Sequence, residues 1–496
     1  MFPTFMKRSH VQLLLVMVIA LLLRCINLAH WSVQYDDAFS YFLARQSFAN
    51  IIAGTAADTM PPLYYFLLHF WMKISQGIWF LRSLSVLLSL GIVVFLYAII
   101  STCAGEAAGL WAALLAAISP LEIYHAQDVR MYALVAFCLM GYCYCFVRLN
   151  KDSSAKFGWW AGLVLFGVAA MYSHNLAGFV IIVPDLYLLI TKKFRLLVKL
   201  LVAQVIIGVA FIPWLFFVPN QIAKIQQAFW TPRPGIVEVL QAIVMLSANL
   251  PLAGIWFYVG AILSIQVFVI VMIELVRNKN GLLTDQLLLV LLAFVPPILL
   301  FIVSYIMRPV FVARGFLAST VIYDGIAGIV IARSAPKGVG YLLLGAAVLA
   351  TGVTLPYQYT FSEFPRSPYQ SMVSSLQESM SAGSLVLHDN KLSFFPSYYY
   401  APQLEQAFLP DVPGSSNDTF APATQAAIGL YPAKDVQKAT LGKDNVYFVV
   451  YQETLDEYAQ QGTSDPALDW LSASFNAAGT TKFNDLVVYH FLKQTP

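Results

Sequence analysis

Long apolar runs fill the first two thirds of the chain, broken by short polar or basic punctuation. A run of about 20 apolar residues is the length that carries a helix across the ~30 Å hydrocarbon core of a bilayer. The pattern predicts spans near 11–30, 78–101, 106–120, 131–149, 157–173, 175–191, 197–218, 253–276, 285–306, 316–333 and 339–356. One stretch breaks it. MPPLYYFLLHFWMKI, residues 60–74, is too short and too polar to span, and predicts a Pro-initiated, aromatic-rich helix lying at the outer interface. From residue 357 the period changes. SLVLHD (384–389) and NVYFVVYQ (445–452) read as strands, TLDEYAQQ (454–461) and PALDWLSASFNAAG (466–479) as helices, and NDLVVYHFLK (484–493) as a closing strand or hairpin. The predicted fold is a polytopic α-helical membrane protein of about eleven spans. Residues 1–356 form its transmembrane module and 357–496 a small soluble α/β domain.

Composition agrees. The chain is 59% hydrophobic and 11% charged, where a soluble protein carries about 25% charged residues. Mean hydropathy is +0.70. The net charge of +3 hides a split, because residues 357–496 hold 14 of the 26 acids but only 7 of the 29 bases. The basic clusters are Lys7-Arg8, Arg148/Lys151/Lys156, Lys192-Lys193/Arg195/Lys199, Arg277/Lys279 and Arg333/Lys337. About eleven spans put all of them on one side, the cytoplasmic side by the positive-inside rule. The C-terminal domain is then extracytoplasmic. Membrane topology accounts for the basic excess, so nucleic acid is not an expected partner. The five cysteines lie in or beside the apolar part, which excludes a disulfide framework in the tail. The first apolar run is longer than the core of a cleavable leader, and is read as a retained helix.

On this topology the unusual polar chemistry gathers on the outer face. A first loop, about 31–77, carries Asp36, Asp37, Asp58 and His69; LEIYHAQDVRMY (121–132) carries His125, Asp128 and Arg130. Carboxylates beside a bilayer are costly and mark a functional site by default. One acid can serve as general base or metal ligand while the other orients it. His30, His69, His125 and His174 fall on or near the same face, which permits a divalent metal held by Asp36, Asp128 and His125. The bland alternative is that these are solvated loop residues and headgroup contacts. Asp185 and Asp324, within spans, read as partners in interhelical hydrogen bonds.

Several blocks together resemble the GT-C glycosyltransferases that use polyprenyl-phosphate sugars. That family includes protein O-mannosyltransferases and the lipid A aminoarabinose transferases, and the likeness is to its bacterial mannosyltransferase-like branch. The blocks are YDDAFSYFLA (35–44), DTMPPLYYFLLHFW (58–71), SPLEIYHAQDVRMYAL (119–134), YSHN (172–175), FWTPRPGIVEVL (229–240) and RPVFVARGFL (308–317). The resemblance implies an inverting transfer at the outer face of a bacterial plasma membrane, from a polyprenyl-phosphate-linked sugar to a lipid, glycan or protein acceptor. It places the general base at Asp36 or Asp37, with Asp36 favoured, and a second acid at Asp128. Two positions depart from the family pattern. Asp128 stands where relatives usually have Glu, and Met60 where they usually have His before Pro-Pro, which removes a metal or phosphate contact there.

Sugar transfer leaves negative charge on the departing phosphate, and fixed arginines can stabilise it. Arg130 and Arg314 are the expected phosphate contacts, with Arg308, Arg233 and Lys224 behind them. Tyr132, Tyr64, His69 and His174 are further candidates for substrate contact, although aromatic residues are enriched at every membrane interface. Two other functions compete. A lipid or solute transporter or flippase would place polar sites near the midplane, in repeated halves, and no repeat is visible. An inactive relative would use its outer domain to bind a partner.

Overall fold

The computed structural model describes residues 8–152, 156–227, 231, 233–277, 285–307, 309–334, 338–381, 383–415 and 417–494. Lys7, Lys279, Lys337, Arg308 and part of the 229–240 block lie outside the described residues.

The chain begins with α1 (Arg8–Cys25), α2 (Tyr35–Ala44), α3 (Phe48–Ala57), α4 (Leu63–Trp71) and α5 (Ile78–Ala104). There follow α6 (Glu106–Ile118), α7 (Pro120–Ala126), α8 (Tyr132–Lys151), α9 (Phe157–Ser173), α10 (Gly178–Ile181) and α11 (Val183–Ile190). Next come α12 (Phe194–Leu215), α13 (Val218–Gln227), α14 (Ile236–Val244), α15 (Gly254–Arg277), α16 (Asp285–Ile306), α17 (Leu317–Ser334) and α18 (Val339–Thr360). Among the described residues, eight helices are long and apolar enough to cross a membrane, or nine if α6 and α7 form one bent span. The protein is an integral membrane protein. The expectation of about eleven spans is not reproduced at that count. α9 is 17 residues long, and 175–191 is divided into a 3-10 turn, α10 and α11, with Pro184 in the first turn of α11. Proline lacks the N–H a continuing helix needs, so the chain restarts there. α4, at nine residues, rises only about 14 Å and cannot span, as expected of an interfacial helix.

The chain divides into two compact units: Met1–Leu28 with Thr59–Thr360, and Ala29–Asp58 with Phe361–Pro496. In the first, α8 and α17 are almost wholly buried, while α1, α12 and α15 turn most of their surface outward. α17 earns its central place through small residues. A Cβ on Gly328 would lie 2.4 Å from the backbone nitrogen of Ala112, so only glycine lets α17 and α6 approach this closely.

The second unit differs from the sequence division at 356/357, because residues 29–58 pack with the tail. Tyr35, Phe39 and Phe42 of α2 set their rings 5.4, 6.3 and 5.8 Å from that of Phe395. Thr424 Oγ1 donates to Gly54 O at 3.1 Å, tying α3 to the helix Pro422–Ile428. The tail builds one sheet from β1 (Ser384–His388), β2 (Gln406–Phe408), β3 (Asn445–Tyr451), β4 (Phe475–Phe483) and β5 (Leu486–Lys493). Its order is β2-β1-β3-β5-β4, parallel about β1 and antiparallel from β3 to β4. Alternate residues of the buried strands feed two cores, one on each face. The expected helix over 466–479 stops at Ser474, and Phe475 begins β4 instead. Helix propensity yields there to pairing with β5 across the turn at Asn484 and Asp485.

Candidate active site

The site in the first unit is built around the break between α6 and α7, which bend by 60° where Pro120 opens a new helix. The last carbonyls of α6 have no partners within their own helix. Arg24, fully buried near the end of α1, donates to Ala117 O at 2.9 Å and Ala116 O at 3.1 Å, and its Nε donates to Ser89 Oγ at 2.8 Å. Gln127 returns the connection, its Nε2 donating to Arg24 O at 2.9 Å and Ile26 O at 2.8 Å. Ser85 Oγ donates to Asp128 O at 2.7 Å. A hydrogen bond to a charged group is worth about 1.5–3 kcal/mol, so this lattice fixes the short turn 127–131 that follows α7.

Four sequence candidates stand on or beside that turn. Asp128 Oδ2 lies 3.1 Å from His125 Nδ1, one helical turn back on α7. Arg130 is nearly buried and its Nη1 donates to Tyr65 Oη at 3.4 Å. Tyr132, at the start of α8, places its ring 5.1 Å from that of His125 and 6.3 Å from that of His174. Arg314, in the 3-10 turn Ala313–Phe316, sets its guanidinium 5.4 Å above the Tyr132 ring, a cation–π contact. Tyr64 is fully buried with its ring 5.9 Å from that of Tyr65.

His174 sits in the break after α9. Burial, and then the positive charges of Arg130 and Arg314, push its pKa down to about 4. The imidazole is therefore neutral at ordinary pH. Its Nδ1 accepts from Leu176 N at 3.1 Å, which leaves the proton on Nε2 as a donor. The structure thus brings together Asp128, His125, Arg130, Tyr132, His174 and Arg314. His69 lies near the end of α4, its ring 5.6 Å from that of Phe70. Arg233 packs over Tyr305 at 5.8 Å, and Lys224 lies in the last turn of α13.

Asp36 and Asp37 belong to the second unit, in the first turn of α2. Adjacent residues on a helix point about 100° apart, so the two carboxylates do not face the same way. Asp37 is buried and Asp36 half-buried. The positive end of the helix dipole favours acids there by about 0.3–1 kcal/mol.

Of the three metal ligands expected from the sequence, Asp128 and His125 belong to the first unit and Asp36 to the second. His125 and Asp128 are engaged with each other at 3.1 Å. Among the described residues, no group of three His, Cys, Asp or Glu side chains could hold a metal. Sequence reasoning did not single out Arg24, Tyr65 or Ser85. A charge near the end of an apolar run was the visible signal for Arg24.

The family described as dolichyl-phosphate-mannose-protein mannosyltransferase matches residues 59–217. That range holds the His125–Asp128 pair, Arg130, Tyr132 and His174, but neither Asp36, Asp37 nor Arg314. ArnT from Cupriavidus metallidurans in the apo state is similar over 98% of both chains, with 12% identity and a TM-score of 0.61. The same protein bound to undecaprenyl phosphate gives 13% identity over 96% of this chain and 97% of that one, with a TM-score of 0.60. The fold is GT-C. The Archaeoglobus fulgidus oligosaccharyltransferase in complex with Zn and sulfate shares it at 13% identity and a TM-score of 0.53, over 96% of this chain and 72% of that one. No curated protein sequence matches. Within the GT-C frame, the cluster from Asp128 to Arg314 gathers residues that lie up to about 190 positions apart in the chain.

Proposed function

We propose that the protein is an inverting membrane glycosyltransferase. It moves a sugar from a polyprenyl-phosphate donor to a lipid, glycan or protein acceptor at the outer face of a bacterial plasma membrane, with the C-terminal domain on that side. The observation that carries this reading is Arg314 over the ring of Tyr132, which itself lies 6.3 Å from the neutral His174, with Arg130 two residues before Tyr132 on the same turn. Arg130 and Arg314 both act on His174. Two fixed cations beside an imidazole N–H donor suit a phosphate monoester.

In the proposed step the acceptor oxygen or nitrogen attacks the anomeric carbon from the face opposite the phosphate. The bond between that carbon and the phosphate oxygen breaks, and polyprenyl phosphate leaves with the electron pair. Asp36 takes the acceptor proton, with the more buried Asp37 holding the turn. Arg130 and Arg314 offset the charge that develops on the leaving oxygen, where preorganised cations are most effective. Asp128 orients His125 and the Arg130 turn.

The test compares a knockout with cells expressing wild type, Asp36→Asn, Asp37→Asn or Asp128→Asn, profiling polyprenyl-phosphate sugars and surface glycans by mass spectrometry. The expected result is one glycan lost and one lipid-linked sugar accumulated in the knockout. Loss of a general base lowers turnover by about 10²–10⁴-fold, so Asp36→Asn should resemble the knockout. Unchanged lipid-linked sugars and glycans in the knockout and every variant would remove the basis for the reading.

A further inference from the structure

α2 carries the two acids, and no side-chain capping bond closes its first turn. Its N-cap is Gln34. Gln34 Nε2 instead donates to Ser367 O and to Ser32 O, each at 3.0 Å. Every residue from 31 to 34 is held from the tail. The Arg366 guanidinium lies 3.9 Å from the centre of the Trp31 ring, and both side chains are buried. Gln370 N donates to Ser32 Oγ at 3.2 Å, and Val33 N donates to Tyr400 Oη at 2.7 Å.

The holding segment is itself fixed. Ser367 Oγ and Phe364 N both donate to Asp485 Oδ2, at 2.6 and 2.8 Å, and Asn484 Nδ2 donates to Ser362 O at 2.8 Å. The turn between β4 and β5 therefore anchors 362–367, 366–370 and Tyr400 anchor 31–34, and 31–34 sets the start of α2.

We propose that Arg366, Ser367 and Tyr400 are positioning residues for the acid-bearing turn of α2, so that the C-terminal domain fixes the direction of the base. This rests on the reading of Asp36 as that base. A misplacement of about 1 Å in a reacting group can cost about 100-fold in rate, so a loosened turn costs turnover while leaving the phosphate contacts intact.

The test uses the full-length protein in proteoliposomes with Tyr400→Phe, Arg366→Ala and Arg366→Lys. The probe is the total polyprenyl-phosphate-sugar extract of a strain lacking the protein, varied in amount. Maximal turnover is expected to fall about 10- to 100-fold with half-saturation unchanged, and the acidic limb of the pH–rate profile is expected to move. Arg366→Lys should recover only part of the loss, because an ammonium cannot stack flat on an indole. In parallel, hydrogen exchange is followed in peptides covering 31–44. It is expected to quicken by tenfold or more in Tyr400→Phe and Arg366→Ala, with the 445–451 strand unchanged. Wild-type exchange across 31–44 in both variants overturns the proposal, whether or not turnover is seen. Faster exchange with turnover and pH profile unchanged also overturns it, since the segment is then held but positions nothing. Should Asp36→Asn and Asp37→Asn retain full turnover while Tyr400→Phe loses it, the assignment of the base fails and the positioning role of the segment stands.

Discussion

His388 and Asp389 stand side by side at the end of β1 and respond to pH with opposite signs. Burial pushes His388 down to about 3 from an ordinary 6.5. Its contribution to stability is full above about pH 6.5 and is lost as pH falls toward 3. Burial, with Asp465 and then Asp411 adding to it, pushes Asp389 up to about 7. That carboxyl does no harm below about pH 4, and its cost grows as pH rises from 4 to 7. Asp389→Asn should therefore raise the melting temperature of the detergent-solubilised protein at pH 8 and leave it unchanged at pH 4. The gain corresponds to roughly 1–3 kcal/mol, and equal melting at pH 8 would contradict it. The residue scale was also where the sequence was most uneven. Asp128 and Arg130 announced themselves as polar residues between apolar helices. Nothing in SLVLHD told that His388 would be sealed between Ser393 and Gln406, because that burial needs the next helix and strand β2 to fold back onto β1. Asp36 and Asp37 were legible as a pair, whereas their divergence followed only once helix α2 was known to begin at Tyr35.

Among elements, the contact of α17 with α6 is the least tolerant. The Cβ of any residue at 328 meets backbone atoms of Ala112, and backbone cannot turn aside as a side chain can. Gly328→Ala should lower stability by about 1–3 kcal/mol, read as a drop in melting temperature and in yield of folded protein. Gly345→Ala on α18, where a Cβ meets nothing within 4 Å, is the control and should cost nothing. A Gly328→Ala protein that melts like wild type would show that the helices separate freely. The apolar period marked most of the long helices, since the bilayer demands that composition along the whole span. It ended a span at 120, where α6 gives way to α7, but did not show that 120–126 is itself helical, and it overlooked the restart at Pro184. It also carried the helix at 466 too far, because pairing between β4 and β5 is invisible to local propensity.

For the whole molecule, the pairing of 29–58 with 361–496 has a direct test. Cutting the chain after Thr360 removes Phe395, Phe420, Ser367 and Tyr400 from α2 and its leading segment. Limited proteolysis of that truncated protein in membranes should cleave within 29–58, where the full-length protein resists. Resistance in both would mean that the segment folds without the tail. No reading of local pattern could have joined these stretches, since Thr59–Thr360 lies between them and residues 31–77 look like one continuous loop. The same arrangement sets a schedule for biogenesis. Residues 29–58 leave the ribosome about 300 residues ahead of the chain that will cover them. At about 5–20 residues per second, the aromatic face of α2 waits roughly 15–60 s for its partner. During that interval a nascent helix bearing Phe39 and Phe42 has only lipid, a chaperone or another nascent copy to lean on. Yield should thus depend on how fast translation proceeds between codons 59 and 360.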